Sequence, residues 1–179
     1  VIGRERREQR REERQTFGVR GSAHRYRMRE KLFAIGDDFW IEDESGSRAY
    51  KVDGKALRLR KTLVLEDASG QALMRIQDRP VRLRDTMEIE AASGGTVATV
   101  KKAMVSVRDR YAIDLAAGPS WSARGNFVDH EYEIEGPDGK LAEVSRRWFR
   151  VRDTYGVQIT PGADTPLILA ITVCLDQTD

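Results

Sequence analysis

Cysteine and histidine are nearly missing from these 179 residues: there is one of the first and two of the second. A single thiol builds no disulfide framework and fits a reducing compartment. It falls at Cys174, inside an aliphatic run, with neither the base nor the electropositive setting of a nucleophilic thiolate, so a core thiol is expected. His24 stands alone, and His130 sits in the polar triplet Asp129-His130-Glu131. Neighbours on a strand point to opposite faces, so that triplet cannot converge on a metal without a special turn, and a surface histidine is expected. No glycine-rich phosphate loop with its lysine is present, and no G-x-G-x-x-G. The acidic runs Asp37-Asp38 and Glu42-Asp43-Glu44 lack calcium-loop spacing and read as a solvated hairpin end. A strong net charge is absent too: 31 Lys and Arg face 29 Asp and Glu, leaving +2, so any case for nucleic acid must come from local clusters. No apolar run follows the charged start, so no signal peptide is read there. These absences predict a cytoplasmic protein that is not an enzyme and carries no cofactor or metal.

What is present begins at the far end. Asp164 to Asp179 reads D-T-P-L-I-L-A-I-T-V-C-L-D-Q-T-D. Pro166 suits a first helical turn, and Thr165 or Asp164 can cap it. Leu167, Ile168, Leu169, Ile171, Val173, Cys174 and Leu175 leave this helix almost no polar face, so it cannot lie on a wetted surface. The run also falls far short of the roughly 20 residues that span a bilayer, so no transmembrane segment is read. Protein must enclose it on all sides.

The preceding sequence is built to do so. Residues 3 to 15 contain only Gly, Arg, Glu and Gln and read as an appendage, a solvated helix or a disordered arm, with the single domain running from 21 to 179. Within the domain the turn glycines Gly46, Gly70 and Gly94 recur every 24 residues. Segments 57–67, 81–90, 105–115 and 149–159 are self-similar, each an apolar-Arg lead followed by an alternating strand. A 24-residue unit holds two strands with their turns, so 22–163 supplies about a dozen. A barrel of about eight strands is filled by its own side chains, whereas a dozen leaves a lumen. A helix over 165–177 would be about 20 Å long, matching strands of six or seven residues. The fold read from the residues is mainly β: a closed antiparallel barrel of roughly twelve strands enclosing the hydrophobic C-terminal α-helix.

Other residues carry a family likeness: Arg124-Gly125-Asn126-Phe127, Tyr132-Glu133-Ile134, Gly139 through Val144, Ser145-Arg146-Arg147-Trp148-Phe149 and Asp153-Thr154-Tyr155-Gly156-Val157. The run Leu167 to Ile171 with Asp176 completes it, and Lys31-Leu32-Phe33 with Tyr50 to Lys55 matches the start. Across about 25–177 the sequence resembles the LURP-one-related proteins, which share the Tubby-like C-terminal fold with Tubby and the phospholipid scramblases. The resemblance implies a twelve-stranded barrel around a central helix, and binding of a phosphoinositide-type lipid without naming a lipid-binding residue. Scramblase activity is not expected, because the one apolar helix is claimed by the core.

Recognition is then left to the outside. Arg58 with Arg60, Arg82 with Arg84, Arg150 with Arg152, and Arg108 alone share equivalent places in the repeats, with Leu57, Leu59, Val81, Leu83, Val105, Val107, Phe149 and Val151 predicted inward. Lys101-Lys102 and Arg146-Arg147 add two like-charged pairs. Together they are the candidate anion-binding residues, for phospholipid headgroups or nucleic-acid phosphates. The competing reading pairs them with cross-strand carboxylates such as Glu66, Glu88, Glu90 and Asp114, and the near-neutral net charge favours it. Trp40, Trp121 and Trp148 are expected to pack on the wall; Trp148 also suits a membrane interface or a stacked base. The expected function is a non-enzymatic binding or scaffold domain engaging anionic membrane phospholipid or a protein partner, peripheral at the membrane. Phosphate-backbone binding through the arginines and the basic arm is the alternative.

Overall fold

The computed structural model describes residues 23–29, 38–54, 62–78, 86–103, 110–149 and 153–178. Twelve strands follow one another: β1 (His24–Arg29), β2 (Phe39–Glu42), β3 (Arg48–Asp53), β4 (Thr62–Asp67), β5 (Ala72–Asp78), β6 (Thr86–Ala91), β7 (Thr96–Ala103), β8 (Arg110–Leu115), β9 (Trp121–Asn126), β10 (Glu131–Gly136), β11 (Gly139–Ser145) and β12 (Thr154–Ile159). A 3-10 turn, Arg146–Trp148, follows β11, and one helix, α1 (Thr165–Gln177), follows β12. Each strand pairs with its sequence neighbours, and β1 pairs antiparallel with β12, His24 opposite Ile159, so the sheet closes into a barrel.

The second half of each sequence repeat becomes an even-numbered strand: β4, β6, β8 and β12. Their alternation puts Leu63 and Leu65, Met87 and Ile89, Tyr111 and Ile113, and Tyr155, Val157 and Ile159 inside. The leads at 57–60, 81–84 and 105–108, read as strands from sequence, lie outside the described residues, as do Arg150, Val151 and Arg152.

The turn chemistry repeats with the strands. Gly46 and Gly70 adopt φ of 81° and 88°, and their amides bond back to Asp43 O and Asp67 O, both at 3.0 Å. The Asp43 carboxylate accepts from the amides of Ser45 and Ser47, and Asp67 does the same for Ser69 and Gln71. One register shift lies beside each turn, at Ile41/Glu42, Leu65/Glu66 and Ile89/Glu90, the signature of a bulge beside a hairpin loop. These turns, with those after β8 and β10 and the β12–α1 connection, form one rim of the barrel. At the opposite rim β1, β3, β5, β7, β9 and β11 end.

α1 enters at the hairpin rim and runs down the lumen. The Asp164 carboxylate caps it by accepting from the Leu167 amide at 3.1 Å. Every residue from Leu167 to Leu175 is buried, against β5, β6, β7 and β12. The one polar side chain among them, Thr172, donates to Ile168 O at 2.9 Å and so needs no solvent. At the far rim the Thr178 hydroxyl donates to Tyr111 Oη at 3.0 Å. The expected barrel and its enclosed helix are both present.

Candidate functional site

A filled lumen removes the usual place for a ligand in a barrel of this size. Cys174 is fully buried there, and burial pushes its thiol well above the ordinary value, so it is no nucleophile at neutral pH. Among the described residues no group of three or more His, Cys, Asp or Glu is arranged to hold a metal.

His130 corrects one expectation: it is buried, not on the surface. It occupies the β9–β10 turn with φ 51°, a left-handed conformation that sends its ring inward instead of alternating with Asp129 and Glu131. Its Nε2 lies 2.6 Å from Asp176 Oδ1 at the end of α1, and its ring stacks on Tyr155 with centroids 4.3 Å apart. Arg146 approaches Nδ1 at 3.4 Å. A guanidinium can only donate, so Nδ1 faces Arg146 as an acceptor while Nε2 faces the Asp176 carboxylate. The imidazole side chain is only 7% exposed and is faced on both nitrogens, so this Asp-His pair fastens the helix end to the turn. An acidic residue closing a wholly buried helix demands a partner, and that was the available sequence signal. His130→Leu should lower stability by about 3 kcal/mol by stranding the Asp176 carboxylate, whose Oδ2 already has no hydrogen bond. The double variant with Asp176→Leu should recover part of that loss. Urea titrations of the two single variants and the double variant check it.

The cations divide sharply. Arg58, Arg60, Arg82, Arg84, Arg108, Arg150 and Arg152 lie outside the described residues. Lys101 pairs with Asp114 across β7 and β8 at 2.9 Å, and this contact, with the Ser120 hydroxyl, holds the Asp114 carboxyl below its ordinary value. Lys102 stands 5.8 Å from the Tyr111 ring. Elsewhere on the wall Lys51 bridges Glu66 at 3.2 Å and Asp38 at 3.4 Å, Lys140 bridges Glu133 at 2.6 Å and Glu143 at 3.3 Å, and Arg27 pairs with Glu42. Such half-exposed pairs neutralise the wall while adding little stability each.

Arg146 and Arg147 sit differently, on the exposed 3-10 turn at the rim where β11 ends. The Ser145 hydroxyl accepts from the Arg147 amide at 3.2 Å and fixes the turn. Arg147 reaches Glu131 only at 3.5 Å, with its side chain 71% exposed. Arg146 leads back to His130 and so to the β9–β10 turn. On that turn Val128 is the one exposed large apolar side chain among the described residues, at 67%. Sequence reasoning missed Val128, because one valine in a polar loop gives no periodic signal. Trp148 and Phe149, which follow the two arginines, fold onto the outer wall over Gly156, where a Cβ would meet their rings at 2.7 and 2.8 Å. Arg25 lies 4.6 Å from the Trp148 ring and Arg27 lies 5.9 Å from that of Phe149. Trp148 therefore packs on the wall as expected, whereas Phe149, expected inward, packs outside because Gly156 leaves a notch there. Trp40 likewise lies under Arg48, at 4.8 Å.

A family model described as LURP-one-related matches residues 24–176. Among solved structures, an X-ray structure of a protein from Arabidopsis thaliana is similar, with a TM-score of 0.63 and 19% sequence identity, over 86% of this chain and 90% of that one. No curated protein matches. At that identity the structural likeness bears on the fold alone.

Proposed function

The chain belongs to the LURP-one-related family, and from that premise we propose that it is a non-enzymatic binding domain whose rim opposite the hairpins engages anionic membrane phospholipid. The observation that carries this reading is the exposed Val128 on the turn beside Arg146 and Arg147. An apolar tip flanked by cations suits a headgroup surface: each basic residue near an anionic leaflet contributes about 1 kcal/mol, and the apolar side chain adds a short-range term.

No described helix is long and apolar enough to cross a membrane, so attachment in this reading is peripheral. The non-enzymatic reading rests on the filled lumen and the covered His130. The likeness to Tubby-like proteins points to a phosphoinositide as the headgroup.

Co-sedimentation with phosphatidylcholine vesicles, with and without phosphatidylserine or a phosphoinositide, tests the reading. Sedimentation should require the anionic lipid and fade with salt, and Val128→Asp with Arg147→Glu should weaken it about tenfold. No sedimentation at low salt would sink it. Nucleic acid is the second reading, since guanidinium groups serve phosphates of either kind. Val128 favours the membrane, because a phosphate backbone gives an apolar tip nothing to enter. A duplex gel shift with a steep salt slope, alongside vesicle binding indifferent to Val128, would reverse that preference.

A further inference from the structure

The hairpin rim carries a second feature of opposite chemistry. A cleft of about 480 Å³ opens there between the β2–β3 and β4–β5 turns. Tyr26 of β1 and Tyr50 of β3 line it, their rings meeting edge to face with centroids 5.8 Å apart. Asp43, Asp67 and Ser69 flank these rings from the two turns, and His24 adds a further wall.

Among the described residues, the carboxylates of Asp43, Asp67 and Asp164 are the charged groups that act on those two tyrosines. The Asp43 carboxyl is held below its ordinary value first by the Ser45 hydroxyl and then by the turn amides, and Asp67 likewise by the Ser69 hydroxyl and its own turn amides. Both therefore remain anionic even in mild acid. Burial raises both tyrosine hydroxyls above the usual range, and nearby carboxylates add to the effect: Asp43 on Tyr26, Asp164 and Asp67 on Tyr50. The connecting segments of this rim, 43–47, 68–71, 92–95, 116–120, 137–138 and 160–164, contain no Lys and no Arg. Arg48, which opens β3 beside this rim, is drawn over the Trp40 ring at 4.8 Å.

We propose that this cleft receives a cationic side chain, a guanidinium or ammonium, from an extended basic segment of a partner protein. Two aromatic rings and two fixed carboxylates are the surroundings such a group prefers once it leaves bulk water. Each exposed ion pair contributes little alone, so recognition comes from the rings and carboxylates acting together. An anionic headgroup is repelled from this end, which separates the cleft from the lipid-facing rim. Failure of either proposal leaves the other standing. If both hold, the barrel joins a basic partner to an anionic surface through its two ends.

The test is fluorescence anisotropy of the full chain with a labelled peptide, Gly-Ser-Arg-Gly-Arg-Ser-Gly, against a matched peptide carrying glutamine for each arginine. Asp43→Asn and Asp67→Asn remove the charge yet keep an Oδ1 to accept the turn amides, so the fold is retained. Their combination should weaken the arginine peptide about tenfold, and Tyr50→Leu should weaken it comparably. Asp138→Asn, on the β10–β11 turn outside the cleft, should leave binding unchanged. Three outcomes would each overturn the proposal: equal binding of the glutamine peptide, indifference to the paired asparagines, or an equal loss from Asp138→Asn. The last would mark general attraction to an acidic surface.

Discussion

Replacing Ile171 by aspartate should abolish the folded barrel. Ile171 sits midway along α1 at 0% exposure, in the centre of a run buried from Leu167 to Leu175. A carboxylate there meets aliphatic side chains on every side and has no donor. Burying it unpaired costs many kcal/mol, and forcing it neutral still leaves an unsatisfied polar group. A domain of this size has about 5–15 kcal/mol of stability in total. The expected result is loss of the cooperative thermal transition and of strand circular dichroism. Ile171→Val, which removes one methylene, should cost only about 1 kcal/mol and melt cooperatively. Ending the chain before Pro166 should match the aspartate variant, because it empties the lumen. A truncated chain that melts cooperatively at an unchanged temperature would show that the barrel stands without its helix.

Gly125→Ala should be the most damaging single-methyl addition to the wall. Gly125 lies in β9 with φ 145°, and a Cβ built on it would fall 2.5 Å from Glu131 O and 2.6 Å from Tyr132 Cα. Both are backbone atoms of the paired β10, so no rotamer change relieves the clash and the two strands must separate locally. A loss of about 3 kcal/mol or more is expected in urea titrations, with early amide exchange along β9 and β10. Gly46→Ala offers the contrast. Nothing lies within 4 Å of its would-be Cβ, and only its φ of 81° resists, so about 1 kcal/mol is expected. Equal losses at the two positions would mean that β9 and β10 are less tightly paired than this register implies. Because the β9–β10 turn carries both Val128 and His130, Gly125→Ala should also weaken vesicle binding through local disorder.

The features that repeat were the ones legible in sequence. Gly46, Gly70 and Gly94 announced hairpin turns because a left-handed φ at a fixed period leaves a spaced glycine. Pro166, Asp164 and the aliphatic run fixed α1 because a helix without a polar face has no other destination. His130 was misjudged because the alternation rule assumes extended backbone, and its positive φ breaks that assumption. Phe149 was placed inward by the same rule, and the notch above Gly156 lies a whole connection away in the chain. Asp176 at the end of a buried helix signals the need for a partner, but not which one, since His130 sits 46 residues earlier. Lys101 and Asp114 were open to either reading until the register of β7 against β8 brought them together. Cleft and rim polarity escaped notice for a related reason: they depend on which connections share an end of the barrel, and only the closure order reveals that.

Closure between β1 and β12 also decides when the barrel can be completed. A ribosome releases this chain from the β1 side, so the first strand waits for the twelfth before its free edge is paired, and the plug emerges later still. During that interval the nascent wall has an open seam and a vacant middle, with Ile41, Leu65, Ile89 and Ile113 facing nothing. Local hairpins can form as they appear, but the seam joins residues from the two extremes of the domain, which is slow. A chain lacking α1 therefore leaves that apolar interior exposed and prone to aggregate.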